Sequence, residues 1–158
     1  MRHRWFAKDG VAQRDHYSFK SKEVHEMVGA ECRALRAGVG IMDVTAFTKV
    51  EVSGPDAYAL LDRLIANRMP QKTGSITLTH MLNRRGRIEL ETTLVRMADD
   101  RFYLVCAAFF EQRLLDHLNQ NRAGEDVTVR ALSAEWSALT LNGPKSRDVL
   151  SACTDADL

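Results

Sequence analysis

A carboxylate in the middle of an alternating strand is the best candidate in this sequence for a chemical role. Glu91 lies in the second strand of a predicted hairpin, formed by residues 76–82 and 88–95. Leu90 and Leu94 have the opposite parity, so we expect Glu91 on the face turned away from the helices. If that face is covered, the carboxylate can orient an amine or accept a proton. If the face is solvated, Glu91 is an ordinary surface residue.

The same alternation predicts the neighbours of Glu91. In the first strand His80 shares the parity of the apolar residues, which we expect to face the helices. Thr77, Thr79 and Met81 should then surround Glu91 across the hairpin, because cross-strand neighbours share a face. His80 is accordingly interpreted as a packed or capping residue.

Several common kinds of site are not indicated. The sequence has no Gly-x-Gly-x-x-Gly, phosphate-binding or Gly-x-Ser-x-Gly motif, and its five histidines lack metal-ligand spacing, so no metal is expected. No apolar run approaches the ~18 residues of a membrane span. Three widely spaced cysteines predict neither zinc nor disulfides, and we interpret them as reduced, mostly buried thiols in the cytoplasm or a mitochondrial matrix: Cys32, Cys106 and Cys153.

The composition is that of one ordinary globular domain. The chain has 158 residues, of which 45% are hydrophobic and 27% charged, with a formal net charge of +1. Such a balance lacks the basic excess of a nucleic-acid binder. The one basic run, residues 83–87, is interpreted as a solvated turn. We therefore expect small-molecule ligands, and neither nucleic acid nor a membrane as a partner.

The apolar patterns predict an α+β fold with an antiparallel sheet and helices on one face. One helix should begin at a Ser21 cap and stop by Gly38 or Gly40. Another opens at 54–55, where Pro55 suits the first helical position, and a third covers about 109–119. Further strands are expected at 41–44, 49–53, 102–106, 127–132 and 136–141.

A weak internal repeat suggests how the chain is organised. Residues 50–55, Val-Glu-Val-Ser-Gly-Pro, resemble residues 139–144, Leu-Thr-Leu-Asn-Gly-Pro, and each predicts a strand, a turn and a helix. The first copy continues through a hairpin, a strand and a second helix, whereas the second stops soon after its helix begins. We expect an extended aromatic lead at 1–20, one α+β unit at 21–135, and the start of a second, incomplete unit at 136–158.

Taken in order, these motifs resemble the glycine-cleavage T-protein family, particularly the version fused behind a flavin domain in dimethylglycine and sarcosine dehydrogenases and oxidases. The resemblance implies ferredoxin-like α+β units around a central folate site, so that unit 21–135 would be the first folate-binding unit. It also implies transfer of a one-carbon group to tetrahydrofolate. The matching stretches are residues 5–6, 17–19, 38–45, 49–57, 79–83, 86–89 and 141–144.

The resemblance also implies site residues. The family has an acidic residue close to the folate nitrogens, on the strand after a Gly-rich turn, and counting from Gly86 places it at Glu91. Phe47 and Val105 match apolar positions against the pterin, with ordinary core packing as the alternative for both. Many relatives carry aspartate where Glu91 stands, and asparagine where Ala107 stands. A polar folate contact is therefore missing here or supplied elsewhere.

The implied cofactor is tetrahydrofolate, and FAD is expected only in a fused upstream domain. The implied donor is a methylated amine or an aminomethyl adduct, and the implied partner is the rest of a parent chain or a flavin domain. We expect the chain to be the N-terminal part of an aminomethyltransferase or oxidative demethylase module, with further folate ligands beyond residue 158. Two alternatives stay open: a folate-binding protein that maintains iron–sulfur or RNA-modifying enzymes, and an inactive fragment.

Overall fold

The computed structural model describes Phe19 and residues 22–158. The predicted lead at 1–20, apart from an exposed Phe19, lies outside the described residues, as does the predicted cap Ser21. In chain order the elements are α1 (Lys22–Ala37), β1 (Gly40–Asp43), β2 (Thr48–Ser53), α2 (Ala57–Leu64), β3 (Ile76–Leu82), β4 (Ile88–Ala98), β5 (Arg101–Cys106), a 3-10 turn (Ala108–Phe110), α3 (Glu111–Gln120), β6 (Thr128–Ala131), β7 (Leu139–Asn142) and α4 (Ser146–Ser151).

The chain divides into two compact units. One consists of Met1–Met42 with Thr140–Leu158, and the other of Asp43–Leu139. The pairing of β1 with β7 groups α1 with the C-terminal elements. The division into a folate-binding unit and the start of a second one stays a prediction.

The larger unit is a five-stranded sheet covered by helices on one face. Its strand order is β3-β4-β5-β2-β6, and each neighbouring pair is antiparallel. The succession β-α-β-β-β-α-β is that of a ferredoxin-like unit with one further strand. The predicted α+β class and antiparallel sheet are thus confirmed. In the core, the apolar sides of α2 and α3 pack on one face of the sheet. The core includes Val50, Val52, Leu60, Leu61, Leu90, Leu94, Phe102, Leu104, Leu114 and Leu118.

Helix α2 begins later than predicted. Pro55 lies in the turn before it rather than at the first helical position, and the helix starts at Ala57. Gly54 takes φ +131° and accepts a hydrogen bond from the N–H of Ala57 at 3.0 Å, so a tight turn separates strand from helix. The Asp56 carboxylate does not cap the helix. It accepts the N–H of Asp126 at 2.9 Å and ties the turn to the segment between α3 and β6.

The repeat found in the sequence has the same geometry in both units. Gly54 and Gly143 have φ of +131° and +120°, in the region that favours glycine. A Cβ at either position would lie 2.4 Å from a backbone oxygen, that of Asp126 or that of Gly38. Two residues after each glycine, an N–H donates to that same oxygen, at 3.4 and 3.1 Å. Both turns therefore require glycine for the same reason.

The smaller unit contains α1, the two-stranded sheet β1–β7, and α4. Helix α1 ends at Ala37, before Gly38, as predicted. Strand β7 is shorter than predicted because it begins at Leu139. Among residues 22–158 no helix combines the length and apolarity needed to cross a bilayer. The interpretation of the cysteines as mostly buried was wrong, because Cys32 and Cys153 belong to this unit and are exposed, and only Cys106 is buried.

Candidate functional site

Strand β4 turns alternate side chains to the core and to the second, open face of the sheet. Leu90, Thr92 and Leu94 are buried, at most 1% exposed. Glu91 lies between them and faces away from the helices, as its parity predicted. A β-strand turns successive side chains to opposite faces, so Glu91 can carry chemistry without entering the core.

The predicted faces of β3 were reversed. Thr79 and Met81 lie in the core opposite Thr92 and Leu90, whereas the apolar side chain of Leu78 is 57% exposed. The cause is a β-bulge between Met81 and Leu82, beside the hairpin turn. One extra residue shifts the pairing by one position, and such a shift exchanges the two faces of the strand.

The bulge also changes the ends of the hairpin. Ile88 pairs with Leu82 at the turn and is 62% exposed, although it was expected to face the helices. The loop 83–87 is the solvated turn that the basic run predicted. Asn83 organises this loop, because its Oδ1 accepts the backbone N–H groups of Arg85 at 2.9 Å and Arg87 at 3.1 Å.

The shifted register places His80 directly opposite Glu91. Nε2 of the imidazole lies 3.1 Å from Oε2 of the carboxylate, and the two side chains are 38% and 60% exposed. The interpretation of His80 as a packed residue was therefore wrong. If residues are paired outward from the turn without a bulge, Thr79 rather than His80 lies opposite Glu91. The sequence therefore held no signal for this contact.

A cleft on the open face brings together the three residues implied by the resemblance. Phe47, Glu91 and Val105 come from the segment before β2, from β4 and from β5, and all three line a cavity of about 190 Å³. The remaining lining comes mainly from the carboxyl end of β5 and from β3 and β4. These residues are Leu78, Thr92, Thr93, Cys106, Ala107 and Phe110.

A buried lysine fixes one wall of the cleft. Lys49 is 1% exposed, and its Nζ donates to the carbonyl oxygens of Thr45 at 2.8 Å and Phe47 at 2.6 Å. In the sequence Lys49 was only the first residue of a strand. Its ammonium holds the segment that carries Phe47, whose side chain remains 45% exposed at the cleft. Buried charges need such partners to offset desolvation.

The hairpin carries two carboxylates, and their partners differ. Glu89 accepts hydrogen bonds from Nε of Arg113 at 3.0 Å and from Nδ2 of Asn83 at 2.8 Å, while Nη2 of Arg113 also contacts it. These bonds, led by that from Arg113, lower the pKa of Glu89. In the described part of the chain, Glu91 has His80 as its side-chain partner. Glu89 is therefore held by Arg113 and Asn83, and Glu91 is the carboxylate that lines the cleft.

The rest of the lining is uncharged. Burial raises the pKa of the Cys106 thiol, which keeps it protonated near neutral pH. Thr92 donates its hydroxyl to the carbonyl oxygen of Val105 at 3.1 Å and so is already satisfied. Ala107 contributes a methyl group where the resemblance leads us to expect asparagine. Among the described residues no group of three histidine, cysteine or acidic side chains could hold a metal ion.

This arrangement suits a flat ring that carries N–H groups. Apolar side chains form the walls, and a single carboxylate supplies the acceptor and the negative charge. Complete ligand pockets commonly measure about 300–1,000 Å³, so 190 Å³ has room for a ring system but not for a whole cofactor.

The chain is similar to proteins of known activity. The model of the GCVT N-terminal domain family matches residues 1–158. Mitochondrial dimethylglycine dehydrogenase of Mus musculus is 33% identical over 156 residues, which are 98% of this chain and 18% of that protein. Aminomethyltransferase of Thermoanaerobacter sp. (strain X514) is 29% identical over 134 residues, which are 84% of this chain and 36% of that protein.

A solved structure gives the same result. Glycine cleavage system aminomethyltransferase T from Bartonella henselae superposes with a TM-score of 0.71 and 30% identity, covering 78% of this chain and 34% of that one. The chain thus spans about a fifth to about a third of the length of these relatives. The resemblance seen in the motifs is confirmed, and the chain belongs to the family defined by the GCVT N-terminal domain.

Proposed function

We propose that this chain is the N-terminal part of a module that passes a one-carbon group from a methylated amine or aminomethyl donor to tetrahydrofolate. One observation carries the proposal: Phe47, Glu91 and Val105, distant in sequence, line a single cleft. The cleft has the apolar walls and the lone carboxylate that a pterin ring with its N–H groups requires.

Glu91 has the central role in this proposal. Its carboxylate accepts an N–H of the folate and so orients the amine that receives the carbon. It also stabilises positive charge that develops near that nitrogen, because the carboxylate places a negative charge beside it. Phe47 and Val105 supply flat contact area for the ring.

The proposed cofactors and partners follow from the relatives. A dehydrogenase and an aminomethyltransferase are among them, and both are much longer than this chain. We therefore place FAD, where amine oxidation occurs, in a separate domain and leave the folate cleft to this chain. The compartment is the cytoplasm or a mitochondrial matrix.

Titration calorimetry with tetrahydrofolate under anaerobic conditions tests the proposal, with wild type and variants made in a protein that carries this chain within the complete module. Wild type is expected to bind, and Glu91→Gln should weaken binding about tenfold, because a hydrogen bond to a charged group is lost. Asp99→Asn neutralises a carboxylate outside the cleft and should bind like wild type. Absence of binding by wild type would contradict the folate assignment. Equal binding by wild type and Glu91→Gln would remove Glu91 from the site.

A second measurement addresses the transfer itself. In a flavin-fused protein that carries this chain, Glu91→Gln should lower the yield of methylene-tetrahydrofolate and leave the rate of amine oxidation nearly unchanged. The two readouts separate because the carboxylate contacts the acceptor of the carbon and not the flavin. Parallel loss of both activities would point to a role in folding.

A further inference from the structure

We infer that His80 is the positioning residue of this site, holding the Glu91 carboxylate in the orientation that serves the cleft. The inference rests on the proposed function, because it assigns His80 a part in the same ligand site. His80 is not among the residues that line the cleft, whereas Glu91 is. We therefore expect the imidazole to act on a ligand through the carboxylate.

The backbone fixes where the imidazole stands. His80 and Glu91 are Cα partners in the ladder between β3 and β4, so the separation of their main chains is set by the sheet. Although β3 is an edge strand, the carbonyl oxygen of His80 accepts the N–H of Ala66 at 2.8 Å. The next residue, Met81, forms a bridge with Ile65. His80 is thus held from both sides of its strand.

The carboxylate, by contrast, depends on the imidazole. Glu91 is 60% exposed, and its side chain has three rotatable bonds that no core packing restricts. Its Oε2 lies 3.1 Å from Nε2 of His80. Within the described residues the structure gives the other oxygen, Oε1, no hydrogen-bond donor. One oxygen is therefore anchored, and the other remains to accept an N–H from a ligand.

The chemistry of this contact defines a conservative replacement. An imidazole with its proton on Nε2 donates to the carboxylate. The amide nitrogen of glutamine lies at a similar reach from the backbone and also donates, so His80→Gln should keep the anchor. Leucine has comparable bulk and no donor, so His80→Leu should release Glu91 without emptying the site of side-chain volume.

A double-mutant cycle tests whether His80 acts through Glu91. Tetrahydrofolate is titrated calorimetrically into wild type, His80→Leu, Glu91→Gln and the double variant, each made in a protein that carries this chain within the complete module. His80→Leu should raise the Kd about tenfold in wild type and leave it unchanged in the Glu91→Gln background. His80→Gln should stay within about twofold of wild type, as should the control Ile76→Ala, an exposed change on the same strand outside the cleft.

The outcomes separate this inference from the proposed function. If wild type binds and His80→Leu binds equally well, or loses as much affinity in the Glu91→Gln background, the inference is overturned and the folate site stands. If wild type does not bind, both fall. Nitrogen-15 spectra of the histidine rings check the contact itself. A protonated Nε2 on His80 that shifts in Glu91→Gln supports the anchor, and an Nδ1-protonated, unshifted ring contradicts it.

Discussion

The ammonium nitrogen of Lys49 lies 2.6 Å from the carbonyl oxygen of Phe47, the residue whose ring forms one wall of the cleft. It also lies 2.8 Å from the carbonyl oxygen of Thr45. A cation that is 1% exposed thus binds two carbonyl oxygens of the segment before β2. One wall of the cleft is thus fixed by a group that does not line it.

Replacing this lysine should loosen the segment. Lys49→Met keeps the length of the side chain but removes the donor, so two part-buried carbonyl groups lose their partner. We expect the free energy of unfolding to fall by about 2 kcal/mol. Urea denaturation measures the change, and Lys72→Met, at an exposed lysine, should stay within about 0.5 kcal/mol of wild type. Equal effects of the two variants would contradict the anchoring role.

The faces of β3 can be tested by paired truncations. Met81 is fully buried, so Met81→Ala should destabilise the protein by about 3 kcal/mol. Leu78 is 57% exposed, and Leu78→Ala should cost less than about 1 kcal/mol. Chemical denaturation compares the two variants. If Leu78→Ala were instead the more destabilising variant, the apolar alternation would have predicted the faces of β3 correctly, and the bulged register would be wrong.

The turn before α2 makes a prediction about glycine. Gly54→Ala puts a Cβ 2.4 Å from the carbonyl oxygen of Asp126 at φ +131°, so we expect a loss of about 3 kcal/mol. Gly86 also has positive φ, but a Cβ there would meet nothing within 4 Å. Gly86→Ala should therefore cost only about 1 kcal/mol. Thermal unfolding of the two variants isolates the contact, and similar melting temperatures would argue against it.

Acid should remove one stabilising interaction at the surface. The N–H of Ala123 and, second, the guanidinium of Arg63 lower the pKa of Glu125 from 4.5 to about 2. A carboxyl whose pKa is lowered by folding stabilises the folded state above the unfolded value. This contribution should be complete above about pH 4.5 and disappear as the pH falls through about 2.

The urea midpoints of wild type and Glu125→Gln measure this dependence. Wild type should be the more stable near pH 6, and the difference should shrink as the pH approaches 2. Arg63→Gln removes only the second cause, so it should retain part of the effect. A difference that stays constant with pH would show that Glu125 does not titrate with folding.

Much of this fold could be predicted from local patterns. The stripe Leu60-Leu61 indicated α2, the turn at 83–87 indicated the hairpin, and the parity of Leu90 and Leu94 placed Glu91 on the open face. In each case the signal comes from residues close together in sequence. Burial of their apolar side chains then forms the core.

The site was harder to predict because its geometry depends on features without a local signal. The bulge beside Met81 reversed β3 and brought His80 to Glu91, yet no residue type there demands a bulge. The burial of Lys49 depends on two backbone carbonyls, which every residue carries. The resemblance supplied Phe47, Glu91 and Val105 as a set, and only the folded chain showed that they share a cleft.

The alternation of buried and cleft-facing residues along β4 has a consequence for how the protein could be altered by mutation. Residues 90, 92 and 94 are buried, although 92 also borders the cleft, while 91 and 93 line the cleft from the open face. A library randomised at 78, 80, 91 and 93 would therefore sample new ligand preferences on an intact scaffold. Substitutions at the alternate, buried positions would instead destabilise the fold and so interfere with selection for binding. These positions are 79, 81, 90, 92 and 94.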